Sequence, residues 1–185
     1  MRKNFGANPW FYPLPVLMVG TYNEDGSADV MNAAWGGLYS RDKVVLCLSG
    51  SHRTTANIKA KGAFTVAFAD VAHVVEADYV GLVSANQEPE KMQKSGLHVT
   101  KSEFVDAPVV DEFPLALECT LVKVNEDGNI IGQIVNVSAD ESIVGEDGKI
   151  DPEKWQAISF DPVQNSYRRV AEKVGNAFQD GAKLK

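Results

Sequence analysis

Apolar residues recur at every second position along much of this chain, and turn residues interrupt them at short intervals. Val16 to Tyr22 is such a run, closed by Asn23-Glu24-Asp25-Gly26, and Ala28 to Asn32 reads as the strand that returns from that turn. Val44 to Ser49 and Phe64 to Phe68 are short and rich in β-branched and aromatic residues. The longest run, Leu115 to Val124, places Leu115, Leu117, Cys119 and Leu121 on one face. It turns at Asn125-Glu126-Asp127-Gly128 into Ile130 to Val137, which predicts a hairpin. The Glu-Asp-Gly triplet appears again at 146–148, but the flanking segments share no period, so this is repeated turn chemistry and not an internal repeat.

Helical patterning is sparser. Thr54 to Gly62 predicts a short helix with threonines at its start and a glycine stop. Val71 to Leu82 carries an apolar side through Val71, Val74 and Val75, and Pro89 to Lys94 suits a helix opening. Ser166 to Gly181 fits either a helix or a coil arm. Many short strands with few helices predict a mainly β single domain over residues 1–185, built as a barrel with helical caps.

Composition narrows the function classes. Of the 185 residues 44% are hydrophobic and 23% charged, the balance of a soluble globular protein, and the net charge is −7. Lysines and arginines form no basic run, which argues against a nucleic-acid partner. An anionic small molecule needs only a local pocket of donors. Cys47 and Cys119 each stand in an apolar run and are expected to be reduced core residues. His52, His73 and His98 are far apart, so no metal site is expected. With no apolar stretch of bilayer-spanning length and no signal-like start, the expected compartment is the cytoplasm.

Three segments carry polar or small residues that strand packing does not require. Asn32-Ala33-Ala34-Trp35-Gly36-Gly37 permits a flat ligand to approach backbone, and equally suits a barrel corner with Trp35 in the core. Ser49-Gly50-Ser51-His52-Arg53-Thr54 joins a strand to a helix start, bringing hydroxyls, a guanidinium and unpaired amides together. A phosphate monoester fits such a place, although Thr54 as a plain helix cap explains it as well. Lys91, in the third segment, offers a positive charge, but lysines near helix starts usually face solvent. No P-loop, no dinucleotide-binding glycine fingerprint and no nucleophile elbow is present, so an enzyme built on this chain is expected to rely on a cofactor for its chemistry.

The order of these segments resembles the flavin reductase-like family, its flavoredoxin-type members in particular. The resemblance runs from Pro13-Leu14-Pro15-Val16 through Asn32-Ala33-Ala34-Trp35, Ser51-His52-Arg53-Thr54, Gly62-Ala63-Phe64-Thr65-Val66, Gly81, Lys91 and Gly132-Gln133-Ile134-Val135 to Ile158-Ser159-Phe160 and Tyr167. It implies a split β-barrel, Greek-key-like, that binds FMN beside a homodimer interface. Asn32, Ala33, Ala34 and Trp35 would then lie along the isoalloxazine ring. Ser49, Ser51, Arg53 and Thr54 would surround the phosphate, Lys91 would reach the flavin or its phosphate, and Phe160 would touch the ring. The chain departs from the family pattern at Arg41-Asp42-Lys43, Ser84-Ala85 and Asp127-Gly128-Asn129.

Three functions follow as alternatives. The first is an FMN-dependent oxidoreductase, a flavin reductase fed by NADH or NADPH or an electron carrier of the flavoredoxin type. The second is a flavin-holding module without nicotinamide turnover. The third is a related barrel that takes another ligand, such as pyridoxal phosphate or haem, or one kept only for interaction.

Overall fold

The computed structural model describes residues 1–184. Its elements, in chain order, begin with β1 (Leu14–Pro15), β2 (Leu17–Tyr22), β3 (Ala28–Ala33), β4 (Gly36–Ser40), β5 (Lys43–Leu46), α1 (Arg53–Lys61) and β6 (Ala63–Phe68). Next come α2 (Val74–Leu82), α3 (Lys91–Ser95), β7 (Val99–Lys101), β8 (Pro108–Val110), β9 (Leu115–Val124), β10 (Ile130–Ala139), β11 (Ile158–Asp161) and β12 (Ser166–Arg169). Seven strands form one sheet in the order β3-β2-β6-β9-β10-β5-β4, and every pairing in it is antiparallel.

This sheet has to curl. Its edge strands, β3 and β4, are joined by Ala34 and Trp35 alone. Laid flat, the edges would stand about 29 Å apart, six spacings of ~4.8 Å. From Ala33 to Gly36 the chain reaches at most about 11 Å. The result is a split β-barrel, mainly β with a few short helices, as the sequence pattern predicts.

The barrel buries both faces of its central strands. Leu17 and Val19 of β2 point inward to Phe64 and Val66 of β6, Leu46 of β5, Cys119 of β9 and Ile130 of β10. Met18 alternates outward, where it meets Ala77 and Val80 of α2, Val110 of β8, Ala116 of β9 and Ile158 of β11. Double burial is why Val16 to Tyr22 reads as continuous apolar sequence. Ile58 of α1 closes the inner core. The smaller sheets β1-β11-β12 and β7-β8 complete the structure.

Several boundaries differ from the sequence expectation. Helix α2 starts at Val74 because Asp70 accepts the His73 amide at 3.0 Å and holds the preceding residues in a turn. α3 starts at Lys91, two residues after Pro89. Of the 166–181 segment, Ser166–Arg169 is a strand, residues 170–179 are irregular, and a 3-10 turn spans Asp180–Leu184. Trp35 is not a core residue: it is 56% exposed on the outer surface of the barrel corner. Cys47 is likewise exposed: its amide still donates to Trp35 O at 2.8 Å, but its side chain alternates away from the buried Leu46 and Leu48. Cys119 is buried as expected. Among the described residues no helix is long and apolar enough to cross a membrane.

Candidate functional site

β3, the start of α1, α2 and the segment leading into α3 enclose a cleft of about 280 Å³, walled by Asn32, Arg53, Thr54, Gly81, Ser84 and Lys91 among others. It continues at one end past Asn32 and Gly81 to Ala34, Phe160 and Tyr167. At the other it opens into a trough that shares Asp29, Arg53, Ala85 and Lys91 with it.

The floor is a buried polar knot. Asp29 sits on β3 between the apolar alternation positions and is 1% exposed. It accepts from Thr54 Oγ1 at 2.6 Å on one carboxylate oxygen and pairs with Lys91 Nζ at 3.4 Å on the other. Lys91 is therefore an interior lysine, not the solvent-facing residue that its helix-start position suggests. Burial pulls its ammonium below the ordinary range, and the Asp29 carboxylate partly restores it. Thr54 does not cap α1; its hydroxyl is committed to Asp29. Asn57 reinforces this face of the barrel by donating to Thr21 Oγ1 at 3.1 Å and Asn23 Oδ1 at 2.9 Å.

The start of α1 remains free to bind an anion. His52 occupies the cap position in extended conformation and its side chain makes no capping bond. The first helical bond runs from the Ala56 amide to His52 O at 3.2 Å, so the amides of Arg53, Thr54 and Thr55 ahead of it lack helical acceptors. Arg53 is exposed and has no ion-pair partner among the described residues. His52 Nδ1 is buried without a hydrogen-bond partner. A helix N-terminus, an unpaired guanidinium and an orphaned ring nitrogen together fit a phosphate.

The opposite end is organised by Asn32. Its amide nitrogen donates to Ala77 O at 2.9 Å and reaches Tyr167 Oη at 3.5 Å. Tyr167 donates to Asp78 Oδ1 at 2.7 Å, and burial followed by the Asp78 bond pushes its phenol up to about 12. α2 runs close to β3 here: a Cβ at Gly81 would meet Asn32 Cβ at 3.0 Å. Small residues on both sides leave a slot suited to a flat ring.

The structure thus brings Asn32, Ala34, Arg53, Thr54, Lys91 and Phe160 to one continuous cleft. Ala33 turns its side chain into the barrel interior, leaving only its backbone near the slot. Ser49 and Ser51 bond to each other at 2.9 Å on the exposed approach to α1 and do not wall the cleft. The sequence assigns no site role to Asp29, Asp78 or Tyr167, and Tyr167 enters only as the end of the family resemblance. Asp29 had one signal, an acidic residue inside an otherwise strand-like run.

A curled antiparallel sheet with a cation-bearing helix start at one end of a flat slot defines a ligand-binding split barrel. The chain belongs to the flavin reductase like domain family, whose model matches residues 11–154. It is similar to the solved flavoredoxin of Desulfovibrio vulgaris, with 37% identity, a TM-score of 0.94, and coverage of 98% of this chain and 100% of that one. The flavoredoxin of Methanosarcina acetivorans matches at 28% identity and a TM-score of 0.89, covering both chains fully (100% of each). A curated relative, an uncharacterised protein of Aeropyrum pernix, is 28% identical over 64% of this chain, and the match spans 45% of that protein's own length.

Proposed function

We propose that this protein binds FMN in the cleft and passes electrons through it, as a flavin reductase or a flavoredoxin-type carrier. The observation that carries this reading is the uncapped start of α1 with its unpaired Arg53, set at one end of a cleft that runs on to Ala34 and Phe160. Arg53 and the amides beside it would hold the phosphate, and Lys91, fixed by its ion pair with Asp29, would stand in the same wall of the cleft as a hydrogen-bond donor. Asn32, Ala34 and Phe160 border the ring. Bound FMN supplies reversible electron and hydride uptake, and the protein's part is placement and local polarity. The amide nitrogen of Asn32 is committed to Ala77 and Tyr167, which leaves its carbonyl oxygen as the group free to accept a hydrogen bond from a ligand.

NADH or NADPH is the proposed electron donor, and the working unit is a homodimer. Two free cysteines suit a reducing compartment, which favours the cytoplasm. The direct test is the absorption spectrum and FMN affinity of the purified protein, followed by anaerobic addition of each nicotinamide. A flavin spectrum with rapid bleaching supports reductase activity, whereas a reducible flavin inert to both donors leaves the carrier role. Arg53→Ala is expected to weaken FMN by about 1.5–3 kcal/mol, the contribution of a charge-assisted bond, without unfolding the protein, since the side chain is exposed. Unchanged affinity would remove the phosphate assignment.

A further inference from the structure

We propose that Asp78 and Tyr167 lower the reduction potential of the bound flavin, Asp78 by the negative charge it holds at the ring end of the cleft and Tyr167 by keeping that charge in place. The inference rests on the reading that the ring lies between Asn32, Ala34 and Phe160. The hollow there measures about 260 Å³, and Asp78, Leu82 and Tyr167 complete its wall. Asp78 comes from α2. Tyr167 comes from β12, where it stands opposite Phe160 in the strand register with the two rings 6.1 Å apart.

Their hydrogen bond, 2.7 Å from Tyr167 Oη to Asp78 Oδ1, fixes which group carries the charge. The phenol, pushed up to about 12, keeps its proton at neutral pH, so the carboxylate accepts and holds the charge. Among the described residues Tyr167 is the one hydrogen-bond partner of the Asp78 side chain, and no cation pairs with it. Lys91 is answered by Asp29, and Arg53 lies at the phosphate end, outside this hollow. A staple between β12 and α2 needs no charge: Asn32 reaches the same helix through the neutral carbonyl of Ala77 at 2.9 Å. Two electrons and one proton taken up by a flavin ring leave it with one negative charge, which a carboxylate in the same half-buried hollow disfavours. The oxidised ring is neutral and meets no such penalty. The reduced ring is therefore the stronger donor, which suits a protein that hands electrons on.

The experiment measures the two-electron potential of FMN on the full-length protein at mildly alkaline pH, by anaerobic dithionite titration against reference dyes. Fluorescence titration gives the affinity for oxidised FMN alongside it. Asp78→Asn keeps an acceptor for Tyr167 and removes the charge. It is expected to leave oxidised FMN binding unchanged and to favour the reduced form by about tenfold, a rise of about 30 mV for a two-electron couple. Tyr167→Phe is expected to raise the potential by less, and to add nothing to Asp78→Asn. An unaltered or lower potential in Asp78→Asn, with both flavin forms weakened equally, marks a structural role and overturns the proposal. Additive shifts in the double variant overturn the part given to Tyr167. A wild-type protein that binds no FMN overturns the flavin reading, and this inference with it.

Discussion

At the scale of the residue, Asp29 and Lys91 dominate the chemistry of the cleft floor. Both are nearly fully buried, so each depends on the other for compensation. Lys91→Met leaves Asp29 with Thr54 as its only partner, an unpaired charge beneath the barrel. The expected loss is about 3–5 kcal/mol of unfolding free energy, measured by urea denaturation. Adding Asp29→Asn to Lys91→Met removes the charge and should recover most of that loss. A Lys91→Met protein as stable as wild type would mean that the Asp29–Lys91 pair contributes nothing to stability. The cysteines divide in the opposite way. Burial, with Glu118 adding to it, pushes the Cys119 thiol up to about 12, whereas Cys47 lies on the surface. Thiolate is the reactive form, so an alkylating reagent should add once to the native protein, at Cys47, and twice after denaturation. Two adducts on the native protein, read by mass spectrometry, would contradict the burial of Cys119.

The same contrast at the scale of the element shows what could be read from sequence. β9 and β10 were legible because a long hairpin with one buried face writes its period directly into the chain. β4 was not: Gly36-Gly37-Leu38-Tyr39-Ser40 exposes four of its five residues and looks like a loop. The helix and strand segments of the site were visible, because a loop of hydroxyls before a helix start has a local signature. Its buried partners were not, since Thr54 meets Asp29 across 25 positions and Tyr167 meets Asp78 across 89. Cys47 is exposed against expectation because an apolar run signals a strand without showing which of its two faces is covered. One element-level feature is testable on its own. Gly132 on β10 lies against the ring of Phe64, and a Cβ there would collide with it. Since Phe64 is fully buried and fixed among core side chains, Gly132→Ala is expected to cost about 1–3 kcal/mol through overpacking. Phe64→Leu should relieve that penalty when combined with it, so that the two changes are non-additive in thermal denaturation. Additive losses would show that the strand accommodates the methyl group by moving.

For the whole molecule, the question is what covers the outer surface at the split of the barrel. β4 is a sheet edge with open backbone groups, and it carries Leu38 at 73% and Tyr39 at 55% exposure, directly after the exposed Trp35. Beside Leu38 lies an apolar hollow of about 130 Å³, bordered by Leu17, Leu46, Phe68 and Leu117. Val135 and Val137, on the part of β10 that continues beyond its pairing with β5, are exposed as well. An unprotected edge with large apolar side chains is an aggregation hazard in a monomer, and a two-fold self-association is the commonest way to cover such a surface. The patch also touches the proposed flavin site through Ala34, which borders the slot, and Trp35, its neighbour. Dimerisation and FMN binding are therefore expected to be linked, because a ligand that binds only the assembled site favours assembly by mass action. Leu38→Asp places a charge in the middle of the apolar patch and is exposed in the single chain, so it should leave the fold intact. The expected outcome is a monomer by light scattering, at concentrations where the unaltered protein is a dimer, with FMN bound more weakly. Circular dichroism unchanged from wild type would show that folding is preserved. A wild-type protein that stays monomeric on concentration, or a Leu38→Asp variant that remains dimeric with full FMN affinity, would place the interface elsewhere or remove it.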